Sequence, residues 1–116
     1  MKTVITDTGA TIYVGKNSKE NDYITFELAK KGYLWFHAND ISGAHVILND
    51  NTSQNDIQIA ANLAAFHSKD KLNKYVNVVY CPIENISKPK YAPSGLVHID
   101  NLKDSKIIKG YPNLVN

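Results

Sequence analysis

The chain has 116 residues, 43% of them hydrophobic and 21% charged, and it contains no apolar run near the ~20 residues that a membrane helix needs. Its length fits one compact domain and excludes two of ordinary size. The net charge is only +2, but all 13 basic residues are Lys, which binds phosphate as a point charge and lacks the bidentate guanidinium with which Arg reads guanine.

The first part of the chain predicts a β-hairpin followed by a helix. Residues 3–6 and 11–14 are rich in β-branched side chains and are separated by a turn, which is typical of paired strands. Asn17 or Ser18 can cap a helix that is expected to run from about residue 19 to residue 31, where a basic last turn precedes a glycine.

The remainder predicts a second, stronger helix and five more strands. Ser53 begins this helix, whose apolar residues extend to Phe66. The predicted strands are residues 33–37, 44–48, 76–80, 96–99 and 106–108. The order ββαββαβββ indicates an α+β fold, formed by residues 1–116 as a single compact domain with a mixed, mostly antiparallel sheet and two main helices.

Cysteine content and charge distribution bear on location and partners. Cys81 is the only cysteine, so no internal disulfide can form, and the N-terminal residues lack the apolar stretch of a signal peptide. We therefore expect a reducing, cytoplasmic location. Residues 59–116 hold 8 Lys and 4 acidic residues, against 5 Lys and 7 acidic residues in 1–58, so the second half is expected to attract polyanions more strongly.

The segment LWFHANDISGAHV, residues 34–46, holds the only Trp and two of the four His. Because side chains alternate in a strand, Trp35 and His37 share a face, and His45 joins them if the two predicted strands pair. A flat aromatic ring beside imidazoles suits the stacking of a base or sugar. The alternative is that the second helix covers this face and that both His are ordinary core or turn residues.

Metal and catalytic sites are less well supported by the sequence. Two His across a turn supply two metal ligands, and no Cys/His cluster or HExxH helix completes the shell. No GxSxG nucleophile elbow occurs, and Ser42, Ser68 and Ser94 are explained as turn, helix-end or loop residues. We therefore expect no metal, no cofactor and no catalytic residue.

Two other segments have features of a phosphate contact. GKNSKEND, residues 15–22, joins a predicted strand to a predicted helix, and its glycine permits close approach of a ligand to the backbone. The segment lacks the spacing of a Walker loop, and ordinary helix capping explains it as well. Lys88 and Lys90 form a small basic patch in a later loop, which is also common on solvated surfaces.

Four blocks of the sequence resemble the NFACT-R domain, the RNA-binding module of the NFACT proteins of ribosome-associated quality control. They are YVGKNSKENDYIT, LWFHANDISGAHVIL, AANLAAFHS and VNVVYCPIENISKPK with the later PSG, in the family's order, and they span about residues 9–99. The hallmark positions that the resemblance implies are Gly15, Lys16, Asn17, Asn21, Asp22, Trp35, His37, Gly43, His45, Ala60, Ala61, Ala64, Ser68, Lys88 and Gly95.

The chain departs from the family pattern in several places. Glu20 stands where Gln is usual, Tyr33 stands where an Asp commonly precedes the Trp motif, and Ser42 and Ala44 flank Gly43 where Pro and Ser are frequent. Full NFACT proteins also carry an N-terminal domain and a long coiled-coil arm. The chain therefore resembles a standalone version of the domain, or a fragment cut as a domain.

The resemblance implies a non-catalytic module that binds tRNA or large-subunit rRNA, with the large ribosomal subunit as a partner and no role for a membrane. The residues expected to bind nucleic acid are Lys16, Asn17, Asn21, Asp22, Trp35, His37, Gly43, His45, Ser68, Lys88 and Lys90. Among them the three lysines are expected to contact phosphates, Trp35 and the two His a base or sugar, and the loop of residues 15–22 is expected to set the backbone geometry. One alternative is an RNA-modification or RNA-processing enzyme that uses His37, His45 and Asp22. Another is a protein-docking module whose Lys-rich loops are plain surface.

Overall fold

The structure is a computed structural model that describes residues 1–50 and 53–115; residues 51, 52 and 116 of the predicted domain lie outside the described residues. A six-stranded antiparallel sheet separates two layers, each built on one helix. This confirms the predicted α+β fold with two helices and a mostly antiparallel sheet. Neither helix in the described part of the chain has the length and apolar character that a membrane crossing requires.

The elements follow one another along the chain with these bounds. The strands are β1 (Lys2–Ile5), β2 (Thr11–Val14), β3 (Leu34–Ala38), β4 (Val46–Leu48), β5 (Val76–Pro82), β6 (Ile86–Ser87), β7 (His98–Ile99) and β8 (Lys106–Gly110). The helices are α1 (Ser18–Tyr23), which continues into a π-helical turn (Ile24–Leu28), and α2 (Gln54–Phe66). The main sheet has the order β1-β2-β4-β3-β5-β8, and β6 pairs with β7 in a separate small sheet.

One face of the main sheet packs against α2. Leu34 and Phe36 of β3 lie opposite Leu48 and Val46 of β4, and all four side chains are buried on this face. The side of α2 that meets them is rich in alanine, which lets the helix approach the sheet closely. The strand alternation predicted for these residues is confirmed.

The other face is covered by the π-helical turn and the small sheet. Trp35 and Ile47, which lie opposite each other in β3 and β4, pack there with Ile24, Ile86 and Cys81. The expected alternative that α2 covers the Trp35 face is therefore wrong. The reason is the odd spacing of Trp35 from Leu34 and Phe36, which places it on the side of the sheet away from α2.

The first helix ends earlier than the sequence pattern predicts. Asn17 caps it as expected, because its side-chain oxygen accepts a hydrogen bond from the backbone N–H of Glu20 at 2.9 Å. The last turn then widens: the N–H of Ala29 donates to the carbonyl of Ile24, and Ala29 itself is extended. The predicted end at residue 31 is wrong, because the widened turn closes the helix before the basic residues are reached.

The bounds of most strands differ from the predictions by one or two residues. The strand predicted at 44–48 begins at Val46, the one at 96–99 is reduced to β7, and the one at 106–108 extends to Gly110. The two-residue β6 has no counterpart among the predicted strands. Such a short strand leaves no periodic pattern to detect, and its partner β7 is brought to it only by the fold.

Candidate functional site

His45, which immediately precedes β4, joins three segments of the chain and is only 2% exposed. Its Nδ1 accepts hydrogen bonds from the hydroxyl of Thr25 at 2.9 Å and from the indole Nε1 of Trp35 at 3.3 Å. Its Nε2 lies 3.1 Å from the carbonyl oxygen of Gly95. Because an indole N–H can only donate and a carbonyl can only accept, these contacts require the neutral ring with its proton on Nε2.

The surroundings of His45 keep it uncharged at neutral pH. Burial, followed by the nearby His37, lowers the pKa of His45 to about 4, against the opposite effect of the hydrogen bond to Gly95. A second proton on Nδ1 would also displace the hydrogens of Thr25 and Trp35. His45 therefore acts as a fixed hydrogen-bonding centre of the fold.

Lys88 and Asp22 hold the loop of residues 88–96 against α1. The ammonium of Lys88 lies 3.1 Å from the carboxylate of Asp22 and donates to the carbonyl oxygens of Pro93 at 2.5 Å and Leu96 at 2.8 Å. The same carboxylate accepts the backbone N–H of Gly95 at 2.9 Å. An ammonium has three hydrogens, so these contacts engage all the donors of Lys88 and leave none for a phosphate.

Asn21 packs against the loop that precedes α1. It is 8% exposed, and its Oδ1 accepts the backbone N–H of His45 at 3.1 Å. A Cβ atom added to Gly15 would lie 2.1 Å from this Oδ1 and 3.0 Å from the backbone nitrogen of Asn21. The close approach of Gly15 to α1 therefore requires glycine for reasons of space, whereas the predicted approach of a ligand to this backbone stays a prediction.

Gly43 and Ser68 connect the loop between β3 and β4 to the end of α2. They form an isolated antiparallel bridge, and the N–H of Ala44 donates to the carbonyl of His67 at 3.0 Å. Ser68 is 7% exposed, and its hydroxyl donates to the carbonyl of Ala65 at 2.7 Å. Both residues thus fix loop position, and neither presents a side chain to solvent.

These anchored loops surround an open depression, which we call the loop groove. It has a volume of about 800 Å³ and is lined by residues 40–43 and 93–97 and by Ser18, Asn21 and His37. A second depression of about 460 Å³ shares Ser18, Asn21 and Gly43 with it and is bordered by Lys2 and Lys16. The two depressions therefore adjoin each other, and the lysines line the second one.

Of the three predicted ring residues, His37 lines the groove and is partly exposed. Its ring lies parallel to Trp35 with the ring centroids 5.7 Å apart, and it meets His45 edge-on. Burial lowers the pKa of His37, and hydrogen bonds to the backbone of Ala38 and Gly43 act in the opposite direction. The predicted clustering of Trp35, His37 and His45 on one face is confirmed.

Trp35 is 3% exposed, which changes the role that its chemistry predicts. It lines a cavity of about 270 Å³ together with His37 and Gly95, but its indole N–H is used by His45 and its ring is enclosed by the core of the small-sheet layer. A base cannot stack on Trp35 in this structure. Its ring instead packs parallel to the ring of His37.

The basic residues predicted to contact phosphate are not equivalent. Lys16 and Asn17 are exposed beside the groove, although the side-chain oxygen of Asn17 is occupied by the hydrogen bond that caps α1. Lys90 is exposed on the loop that Lys88 clamps, and its ammonium lies 5.3 Å from the centroid of the Tyr91 ring. Lys16 and Lys90 thus remain available to a polyanion, whereas Lys88 is occupied.

Few side chains of the site are free to take part in catalysis or to bind a metal ion. His45 has hydrogen bonds at both ring nitrogens, and both oxygens of Asp22 accept from Lys88 or Gly95, so His37 is the one member of the His37, His45 and Asp22 set that lines the groove with accessible surface. Among residues 1–50 and 53–115, no group of three or more His, Cys, Asp or Glu is placed to hold a metal ion.

Sequence reasoning missed Thr25 and Tyr91. Thr25 is 2% exposed within the π-helical turn and bonds to His45, but no motif distinguishes it from other helical threonines. Tyr91 is 92% exposed and has a φ of 65°. Its unusual backbone was not predictable, although the turn-rich composition around it could have marked it as exposed.

Comparison with known proteins gives a family match over most of the chain. The family model described as NFACT protein RNA binding domain matches residues 2–101. The chain belongs to this family. The matched range includes every residue of the predicted site, and the resemblance seen in the four sequence blocks is confirmed.

The relatives of this NFACT RNA-binding domain are much longer proteins. It is 44% identical over 94 residues to the Rqc2 homolog RqcH of Streptococcus suis and 36% identical over 102 residues to that of Bacillus subtilis, covering 79% and 87% of this chain but only 17% and 18% of those proteins. It is also 33% identical over 110 residues to bovine coiled-coil domain-containing protein 25, covering 84% of this chain and 50% of that protein.

A solved structure shows the same NFACT-R architecture. The C-terminal part of the fibronectin/fibrinogen-binding protein of Streptococcus suis superimposes with a TM-score of 0.86 at 38% identity, covering 95% of this chain and 44% of that one. The similarity extends over nearly all the described elements.

Proposed function

We propose that residues 1–116 form a non-catalytic RNA-binding domain that acts in the cytoplasm in ribosome-associated quality control. Its proposed ligand is tRNA or large-subunit rRNA, with the large ribosomal subunit as its partner. The family supports RNA as the ligand class, and the relatives named as Rqc2 homologues support this cellular role.

The observation that carries the proposal is the use of the family's polar residues to fix loops around an open groove. Asp22, Lys88 and His45 bond to backbone groups of the loop at 93–96 and hold it at the margin of the groove. Asn21 accepts the backbone N–H of His45, whose own carbonyl accepts the N–H of Gly15. The groove is thus pre-organised, and its lining combines small polar residues and glycines with His37, Asp40 and four apolar residues. Such a surface recognises the shape and sugar-phosphate backbone of RNA more than its sequence.

The charge at the groove fits the same ligand. Lys2 and Lys16 border the adjoining depression, and the chain has no Arg to read base edges. In this proposal Lys16 contacts a phosphate, and His37 meets a sugar or base as an uncharged ring. Trp35 and His45 act by holding His37 and Gly95 in place.

The test is RNA binding measured by fluorescence anisotropy over a range of salt concentrations. Labelled tRNA and a large-subunit rRNA fragment serve as ligands, with a single-stranded DNA of matched length as comparison. Affinity should fall as salt rises, and Lys16→Glu should weaken binding and reduce the slope of log affinity against log salt by roughly one unit. Affinity independent of salt would contradict a phosphate contact.

A matched control comes from the opposite edge of the sheet. Lys109→Glu makes the same charge change on β8, which three strands separate from the strand that leads to Lys16, and should change affinity much less. An equal loss of RNA affinity in both variants would contradict RNA binding at the groove. Copurification of a protein partner that survives nuclease treatment, with no RNA affinity, would favour the docking alternative.

A further inference from the structure

We propose that Tyr91 is a stacking surface for an unpaired RNA base, presented by a turn that the Lys88 clamp fixes to the domain. This inference rests on the proposed RNA-binding function and adds the class of RNA element that is recognised. Its basis is the combination of an exposed ring, a strained backbone and a rigid attachment at one position.

The exposure of Tyr91 is unusual for a large aromatic residue. Its side chain is 92% exposed, whereas Phe36 is fully buried and Trp35 is 3% exposed. Both faces of an aromatic ring are apolar, so full exposure in the free protein leaves surface that a nucleobase can cover. Trp35, the residue first expected to stack, offers no such surface.

The backbone of Tyr91 is held in a conformation that favours glycine. The N–H of Ala92 donates to the carbonyl of Pro89 at 3.0 Å, which closes a turn with Tyr91 at its third position and a φ of 65°. The next turn, closed by Leu96 and Pro93, has Gly95 at the equivalent position with a φ of 88°. A tyrosine at this position is strained relative to glycine, and strain of this kind is common at ligand sites.

The turn is attached to the core on both sides, through Lys88 before it and Gly95 after it. Lys88 bonds to Asp22 and to the carbonyls of Pro93 and Leu96, and Gly95 bonds to Asp22 and His45. Residues 88–96 therefore project from the domain on a fixed base. A ring presented in this way loses little conformational freedom when a base stacks on it.

The charge beside the ring also suits a nucleotide. The ammonium of Lys90 lies 5.3 Å from the centroid of Tyr91, and both side chains are exposed. A base on the ring would place its own phosphate within reach of this flexible lysine. Lys90 is thus assigned the phosphate of the stacked nucleotide, while Lys16 contacts RNA at the groove.

The experiment compares a short single-stranded RNA of mixed sequence with the duplex formed by the same strand and its complement. The full chain is tested as wild type, Tyr91→Gly and Tyr91→Phe. Tyr75→Ala is the matched control, because Tyr75 is also exposed beside a lysine, with the Lys109 ammonium 4.6 Å from its ring centroid. Urea denaturation of each variant reports its stability.

We expect Tyr91→Gly to weaken binding of the single strand at least about fivefold and to leave duplex binding unchanged, because stacking requires an unpaired base. Its stability should equal or exceed that of the wild type, since glycine accepts the positive φ. Tyr91→Phe and Tyr75→Ala should bind the single strand like the wild type. Photocrosslinking of a thiouridine-containing strand should modify Tyr91 itself.

Each other outcome overturns the inference in a distinguishable way. Wild-type affinity in Tyr91→Gly, or equal weakening for strand and duplex, would overturn the stacking role while the RNA-binding function stands. If Tyr91→Gly lost binding to a protein partner but kept its RNA affinity, that result would also overturn the stacking role. No binding of either RNA or of tRNA by the wild type would overturn the proposed function together with this inference.

Discussion

The indole N–H of Trp35 donates to Nδ1 of His45 at 3.3 Å, and this contact joins the two most distinctive residues of the sequence inside the protein. Both are nearly inaccessible to solvent. Together with Thr25 and Gly95 they link the π-helical turn, the sheet and the loop of residues 88–96. Trp35 and His45, which the sequence suggested as ligand contacts, therefore stabilise the position of the loops around the groove.

Removal of the His45 side chain tests this structural role. His45→Ala leaves Thr25, Trp35 and the carbonyl of Gly95 without a partner and opens a cavity, so the free energy of unfolding should fall by about 2–4 kcal/mol. Urea denaturation measures the loss. His98→Ala, at an exposed position, should change stability by less than roughly 0.5 kcal/mol. Similar stability of the two variants would contradict the prediction.

Stability should depend on the protonation of His45. Its folded-state pKa of about 4 lies below the ordinary 6.5, so the unfolded chain binds the proton more tightly. The fold is then most stable above pH 6.5 and is destabilised as the pH falls towards about 4, by up to about 3 kcal/mol from this residue. Urea denaturation at a series of pH values measures the slope.

His45→Gln provides the control for this pH dependence, because glutamine cannot take up the proton. Its stability should vary less steeply across the same window. Burial also lowers the pKa of His37 and His67, so a smaller slope should persist. An unchanged slope in His45→Gln would show that other groups dominate.

Lys88→Met tests whether Lys88 is structural. The substitution keeps most of the aliphatic stem but leaves the Asp22 carboxylate and two carbonyls without the ammonium, so unfolding should become easier by about 1–2 kcal/mol. Amide exchange at Gly95, whose N–H bonds to Asp22, should speed up. Lys90→Met, on the exposed turn, should alter neither quantity. Unchanged exchange at Gly95 in Lys88→Met would argue against the clamp.

Two glycine substitutions separate steric crowding from backbone strain. Gly15→Ala places a Cβ against Asn21 at 2.1 Å and should destabilise the fold by about 2 kcal/mol or more. Gly9→Ala meets no atom within 4 Å but must adopt a φ of +87°, which should cost roughly 1 kcal/mol. Thermal or urea unfolding ranks the two variants, and a larger effect at Gly9 would refute the packing of Gly15 on α1.

Local pattern in the sequence determined much of the fold. The opening hairpin, the Ser53-capped α2 and the alternation that separates Trp35 from Leu34 and Phe36 are all present in the structure. These features depend on residues only a few positions apart, through strand and helix periodicity and capping. The four family blocks also identified the domain correctly.

Only the tertiary structure decided what the site residues do. The carboxylate of Asp22 contacts Lys88, 66 positions away in the sequence, and Gly95, 73 positions away. Because of these contacts Lys88, which was predicted to bind phosphate, instead holds a loop in place. Burial of Trp35 and exposure of Tyr91 are likewise set by which segments cover each face of the sheet. Contacts between distant segments leave no local pattern, so residue types alone could not separate scaffold from surface.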